Sequence, residues 1–205
     1  METSSYQDLR EIRQMMEKSS RFISLSGWSG IAAGISALAG AFFANRYIKA
    51  YYANAYGTPD ACPACLKQDL LVIAGLVFIS ALVLAFFFTY TRSKKDGVAI
   101  WGTTARKLLW NTMLPMAIGA VFIFHLMEMQ YYSLVGASSL LFYGLALVNG
   151  SKYTLGEIRF LGYGQLLTGL YCLWFPGNGL AAWAFGFGIL HIVYGIAMWW
   201  KYERN

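Results

Sequence analysis

Cys62-Pro63-Ala64-Cys65 is the stretch of this chain whose residue types and spacing come nearest to a chemistry. Two thiols three residues apart can close a disulfide and exchange it with an outside thiol. Pro63 suits the first position of a helix, which would put Cys62 at the N-cap. Backbone N–H groups and the helix dipole favour a thiolate there. The same pair can also be a static disulfide that staples its loop in an oxidising compartment. Metal binding is a third option, but a structural zinc site needs a second pair. The only other cysteine is Cys172, so the chain lacks the two pairs of an electron relay. No βαβ pattern of a thioredoxin-like domain surrounds the motif.

The remaining candidates are polar residues set in apolar sequence. His191 lies near the middle of the last apolar stretch, with Gly188 and Gly195 on its face. That face should point into a helix bundle, where His191 is either hydrogen-bonded to a neighbouring helix or serves as a proton relay or ligand contact. Gln165 forms a stripe with Gly162, Gly169 and Cys172. His125 and Glu128 share a helical face three residues apart, a spacing open to a metal or proton site but short of a third ligand. Pro115 must free a carbonyl one turn earlier, and Asn111 stands near it. These stripes predict that the third, fifth and sixth apolar segments face one another around a polar interior. Helix-to-helix hydrogen bonding accounts for the same residues without a ligand.

Such residues need apolar helices to hold them. Hydrophobic residues make up 58% of the 205 positions and charged residues 13%, about half the charged share of a soluble domain. Six apolar segments are expected at about 24–44, 69–91, 108–127, 131–149, 158–176 and 179–200, each near the roughly 20 residues that cross a bilayer. Most of the basic residues fall on one side of that arrangement, and only Arg46, Lys49 and Lys67 on the other. The basic side is therefore read as cytoplasmic, with both ends of the chain on it. The net charge of +6 follows from these flanks and not from nucleic-acid binding. The fold class expected is an all-α, polytopic membrane bundle of about six transmembrane helices, N-in and C-in.

Residues 1–23 are expected to form a cytoplasmic amphipathic helix on the membrane surface, with Leu9, Ile12 and Met16 on its apolar face. They lack the apolar core of a signal peptide, so the first span should direct its own insertion. Residues 24–200 form the transmembrane domain and 201–205 a cytoplasmic tail. The segment 94–107 reads as a second surface helix, and 45–68 as the one sizeable external loop. Cys172 lies at a depth from which it could approach that loop. Ser26, Gly30 and Gly34, beside Ser29, Ala33, Ala37 and Ala41, predict close helix packing within one chain or in a dimer.

Four stretches resemble an uncharacterised family of bacterial inner-membrane proteins. They are EIRQMME (11–17), residues 22–27, LFYGLALVNGSKYTLGEIRFLG (141–162) and FGILHIVYGIAMWWKYE (187–203). The resemblance implies a multi-span protein of the inner membrane, with no activity attached. Nucleophile elbows, phosphate loops and zinc-protease motifs are absent from the sequence. The function expected is a non-enzymatic membrane component that binds a small molecule or a partner protein. The alternatives are thiol–disulfide exchange through Cys62 and Cys65, and a small dimeric transporter. No cofactor or metal is expected. The partners expected are the lipid bilayer and either a second copy or a cytoplasmic protein.

Overall fold

The computed structural model describes residues 26–55, 62–97 and 101–204. They form helices α1 (Gly27–Ala55), α2 (Pro63–Asp96), α3 (Thr103–Glu128), α4 (Tyr132–Gly150) and α5 (Ile158–Trp174). A 3₁₀ turn over Pro176–Asn178 then leads into one last rod. The rod consists of α6 (Gly179–Trp183), a π-helical segment (Ala184–Leu190) and α7 (His191–Tyr202). No strand occurs among the described residues. Five of these rods are long and apolar enough to cross a membrane: α1, α2, α3, α4 and the last rod. That is compatible with a multi-pass membrane protein. At 17 residues, α5 spans about 26 Å. The expected surface helix of residues 1–23 lies outside the described residues.

Two sequence expectations need correction. The loop 45–68 is mostly helix: α1 continues through Ala55 and α2 starts at Pro63. No Gly or Pro interrupts residues 45–55, so the helix continues past its apolar core, carrying Arg46 and Lys49 with it. Among the described residues, the segment 94–107 is no separate surface helix. Lys94 and Lys95 belong to the last turn of α2, and Gly97 ends it in the left-handed region at φ 64°. Arg106 and Lys107 already lie on α3.

Packing is uneven. α1 rests on α2 on one side and on the π segment and α7 on the other. α4 packs against α3, α5 and α6. α2 and α3 are thus outer helices, whereas α1, α4, α5 and the last rod enclose the interior. The expected meeting of the third, fifth and sixth segments fails for the third, since α3 packs mainly on α4. The reason lies with Asn149. Pro115 has no N–H for the carbonyl of Asn111, and the Asn149 side chain donates to that carbonyl at 2.8 Å. The Asn111 side chain itself turns back to Lys107 O at 2.8 Å. Asn149→Leu should leave the Asn111 carbonyl unpaired and lower stability by about 1–3 kcal/mol. Thermal unfolding in detergent measures the loss, and an unchanged midpoint would remove this role.

The small residues of α1 pack within the chain. A Cβ on Gly30 would lie 3.2 Å from both Gly195 Cα and His191 O, so the two backbones nearly touch. One end of the bundle is tied by charge. Glu203 accepts from Gly27 N–H and Ser26 Oγ at the start of α1 and pairs with Arg92 of α2. That places a carboxylate at a helix N-terminus, where the dipole favours it. Glu157, before α5, pairs with Lys201 and accepts from Tyr202 Oη at 2.8 Å.

Partial burial pushes the Glu157 carboxyl up, but the hydrogen bonds from Lys201 and Tyr202 together hold it below the usual carboxylate value. A carboxyl depressed on folding stabilises above its unfolded pKa, and that contribution fades as pH falls through the folded value. Glu157→Gln should therefore cost stability at neutral pH and flatten the acid limb of the stability curve. An acid limb identical to wild type would contradict this.

Candidate functional site

The interior polar site is built from four elements. α4 brings Tyr143, α5 brings Gln165, the π segment brings the Gly186 carbonyl, and α7 begins with His191. Gln165 is 0% exposed and His191 6% exposed, so both side chains lie inside the bundle. Tyr143 Oη lies 2.9 Å from His191 Nε2, and His191 Nδ1 lies 3.1 Å from Gly186 O. Gln165 Nε2 donates to the same Gly186 carbonyl at 2.8 Å.

A carbonyl can only accept, so Nδ1 carries the imidazole proton and Nε2 accepts from Tyr143. Gln165 Nε2 and His191 Nδ1 are 3.4 Å apart, two donors converging on one oxygen. The amide oxygen of Gln165, Oε1, is buried with no hydrogen-bond partner. Aromatic rings wall the site. Phe187 lies 5.0 Å from the Tyr143 ring and 5.9 Å from that of His191, centroid to centroid, with Trp183 at 5.1 Å behind it.

Local sequence explains why these groups meet. Tyr143 belongs to the stripe Leu140, Tyr143, Leu147, which faces α5. Gly186 is required by space: a Cβ there would sit 2.3 Å from Leu140 Cδ2 and 2.6 Å from Gln165 Oε1. The Ala184–Leu190 segment is π-helical, a form found mostly as single turns and frequently at functional sites. Beside it, between α5 and α6, is a groove of about 540 Å³ lined by Leu167, Thr168, Tyr171, Asn178, Ala182 and Phe185.

Of the residues singled out in the sequence, His191 and Gln165 come together here. Asn111 belongs to the α3–α4 contact described above. His125 is exposed on α3, and Glu128 lies 3.6 Å from Lys67 of α2. Among the described residues no group of three or more His, Cys, Asp and Glu could hold a metal. Cys172 does not approach the cysteine pair; it is 0% exposed, packed with Ala137, Leu140 and Ala182.

Cys62 and Cys65 are joined by a disulfide at the first turn of α2, both exposed. Cys62 is the N-cap, and its Sγ accepts from Cys65 N–H at 3.1 Å. Tyr143 and Gly186 were not singled out by sequence. The three-and-four spacing of Leu140, Tyr143 and Leu147 is the signal that could have placed Tyr143 inside.

No family model matches the chain, and neither a curated protein nor a solved structure matches it.

Proposed function

We propose that this chain is a six-span protein of the bacterial inner membrane with both ends in the cytoplasm. In this reading it is a non-enzymatic component that binds a small molecule at Gln165, Tyr143 and His191. The sixth crossing is α5, which fits the bilayer with slight thinning. Sidedness is supported by the grouping of Arg92, Lys201 and the start of α1 at one end of the bundle, the end rich in basic residues.

The observation that carries the binding reading is the buried, unpartnered Oε1 of Gln165. A ligand matching it has an apolar body and one O–H or N–H donor. The groove between α5 and α6 offers the approach from lipid, since Thr168 follows Gln165 by one turn and Phe185 precedes Gly186. Long-chain alcohols and amides are the probe class. They should raise the unfolding temperature of the wild type and leave that of Gln165→Leu unchanged. Equal shifts in both proteins, or none in either, would refute the site.

The disulfide favours a second reading, thiol–disulfide exchange. The bridge closes within one helical turn and joins α2 to no other element. A loop this short stabilises by only about 2 kcal/mol in the chain-entropy view, so stapling explains little of it. Exposure and the N-cap position suit Cys62 as the attacking thiol. With Cys65→Ala, Cys62 should form a mixed disulfide with oxidised glutathione at neutral pH faster than free cysteine does. A rate no greater than that of free cysteine would end this reading.

A further inference from the structure

A second buried group on the last rod is left without a partner. Tyr194 lies one turn after His191 on α7, and its Oη is buried with no hydrogen-bond partner. Tyr194 and Tyr143 pack against the same cluster, Leu147, Ile158 and Leu161. Glu157 directly precedes Ile158 of that cluster and accepts from Tyr202 Oη at 2.8 Å.

These groups form a line. His191, Tyr194, Met198 and Tyr202 recur at helical spacing along one face of α7, and eleven residues of helix rise about 16 Å. That is about half the hydrocarbon thickness. A buried hydroxyl in such a line normally finds water when no protein group meets it.

We propose that Tyr194 marks an internal file of water that gives His191 proton access from the Glu157 end of the bundle. Water bridges the Tyr202–Glu157 pair to Tyr194, and Tyr194 to Tyr143. In the inward step Tyr143 hands its hydroxyl proton to His191 Nε2 and takes one from the adjoining water. Each water in turn takes one from its outer neighbour, and the last from bulk solvent. The return reverses every step, so no charge is left on Tyr143.

The groups facing His191 set where the file ends. Tyr143 faces it from α4, Gln165 from α5, the Gly186 carbonyl from the π segment and Gly30 from α1. Beyond them Ala137, Leu140, Cys172 and Ala182 close an apolar cluster. Access is therefore one-sided. The inference does not depend on whether Gln165 binds a ligand.

The chain has two histidines, which permits a direct test. His125→Gln leaves His191 as the single imidazole, and the exposed His125 alone, in His191→Gln, is the positive control. Proteoliposomes carrying ¹⁵N-histidine are studied by water-edited solid-state NMR. Water magnetisation should reach the His191 ring in the single-histidine protein. Tyr194→Phe, which keeps the ring and removes the hydroxyl, should slow that build-up by a factor of about three or more. A His191 ring that water does not reach, or a build-up unchanged by Tyr194→Phe, would overturn the proposal.

Discussion

Gly195→Val is expected to detach the last rod from α1 and lower stability by about 3 kcal/mol or more. A Cβ at position 195 would stand 2.6 Å from both Gly27 O and Ile31 N of α1. Those are backbone atoms, and no rotamer change can move them aside. The helices would have to separate along their whole contact. That contact runs from Gly27 through Gly30 to Gly34, where a Cβ would lie 2.7 Å from Gly188 O. Within lipid, apolar helices gain little by hiding from their solvent, so close approach is what holds such a pair. Separation would also withdraw Glu203 from Gly27 N–H and Ser26. Gly75→Ala on α2 is the matched control, because a Cβ there meets nothing within 4 Å. It should be neutral or stabilising by up to about 1 kcal/mol. Calorimetric unfolding in detergent compares the two, and a Gly195 variant as stable as the Gly75 one would remove the α1 contact from the fold.

Gly186→Val should be the second most damaging change, for a different reason. Its side chain would collide with Leu140 and with Gln165 Oε1, both ends of side chains that can move. If they give way, Gln165 is driven off the Gly186 carbonyl and His191 loses its neighbour. The expected cost is about 2–3 kcal/mol, the upper part of the range for overpacking a filled interior. The ligand binding proposed for the site should be lost with it. Gln165→Met makes the informative contrast. It removes one hydrogen bond to Gly186 O but also a buried oxygen that has no partner. Its net effect on stability should stay within about 1 kcal/mol. A residue that adds so little to stability, yet lies fully buried, fits a group kept for binding. A loss above about 3 kcal/mol in Gln165→Met would instead mark Gln165 as a structural tie.

The helical architecture was legible because its signals are local. Apolar length, the turn at Pro176–Asn178 and the N-cap at Cys62 each depend on a few adjacent residues. His191 and Gln165 were placed inside by the glycines that share their faces. Their meeting point was not legible, because Gly186 reaches them through a backbone carbonyl that has no side-chain signature. The choice of neighbours for α3 failed for a similar reason. Pro115 announced an unpaired carbonyl, but any nearby donor could have met it, and the one that does is Asn149 on α4. The long extension of α1 was hidden by its composition, since Arg46, Tyr47 and Lys49 resemble loop residues and still form helix. Glu203 reads in the sequence as one charge in a tail. Its contact with the start of α1 lies 176 residues away and has no local trace.

The measurement that bears most directly on the site is the protonation pattern of the His191 ring. In the His125→Gln protein, ¹⁵N NMR of labelled histidine in lipid distinguishes the two ring nitrogens. Nδ1 should carry the proton, bound to the Gly186 carbonyl, and Nε2 should be bare and hydrogen-bonded, with its shift moving in Tyr143→Phe. A proton found on Nε2 with Nδ1 bare, or a ring indifferent to Tyr143→Phe, would contradict the arrangement of Tyr143, His191, Gly186 and Gln165.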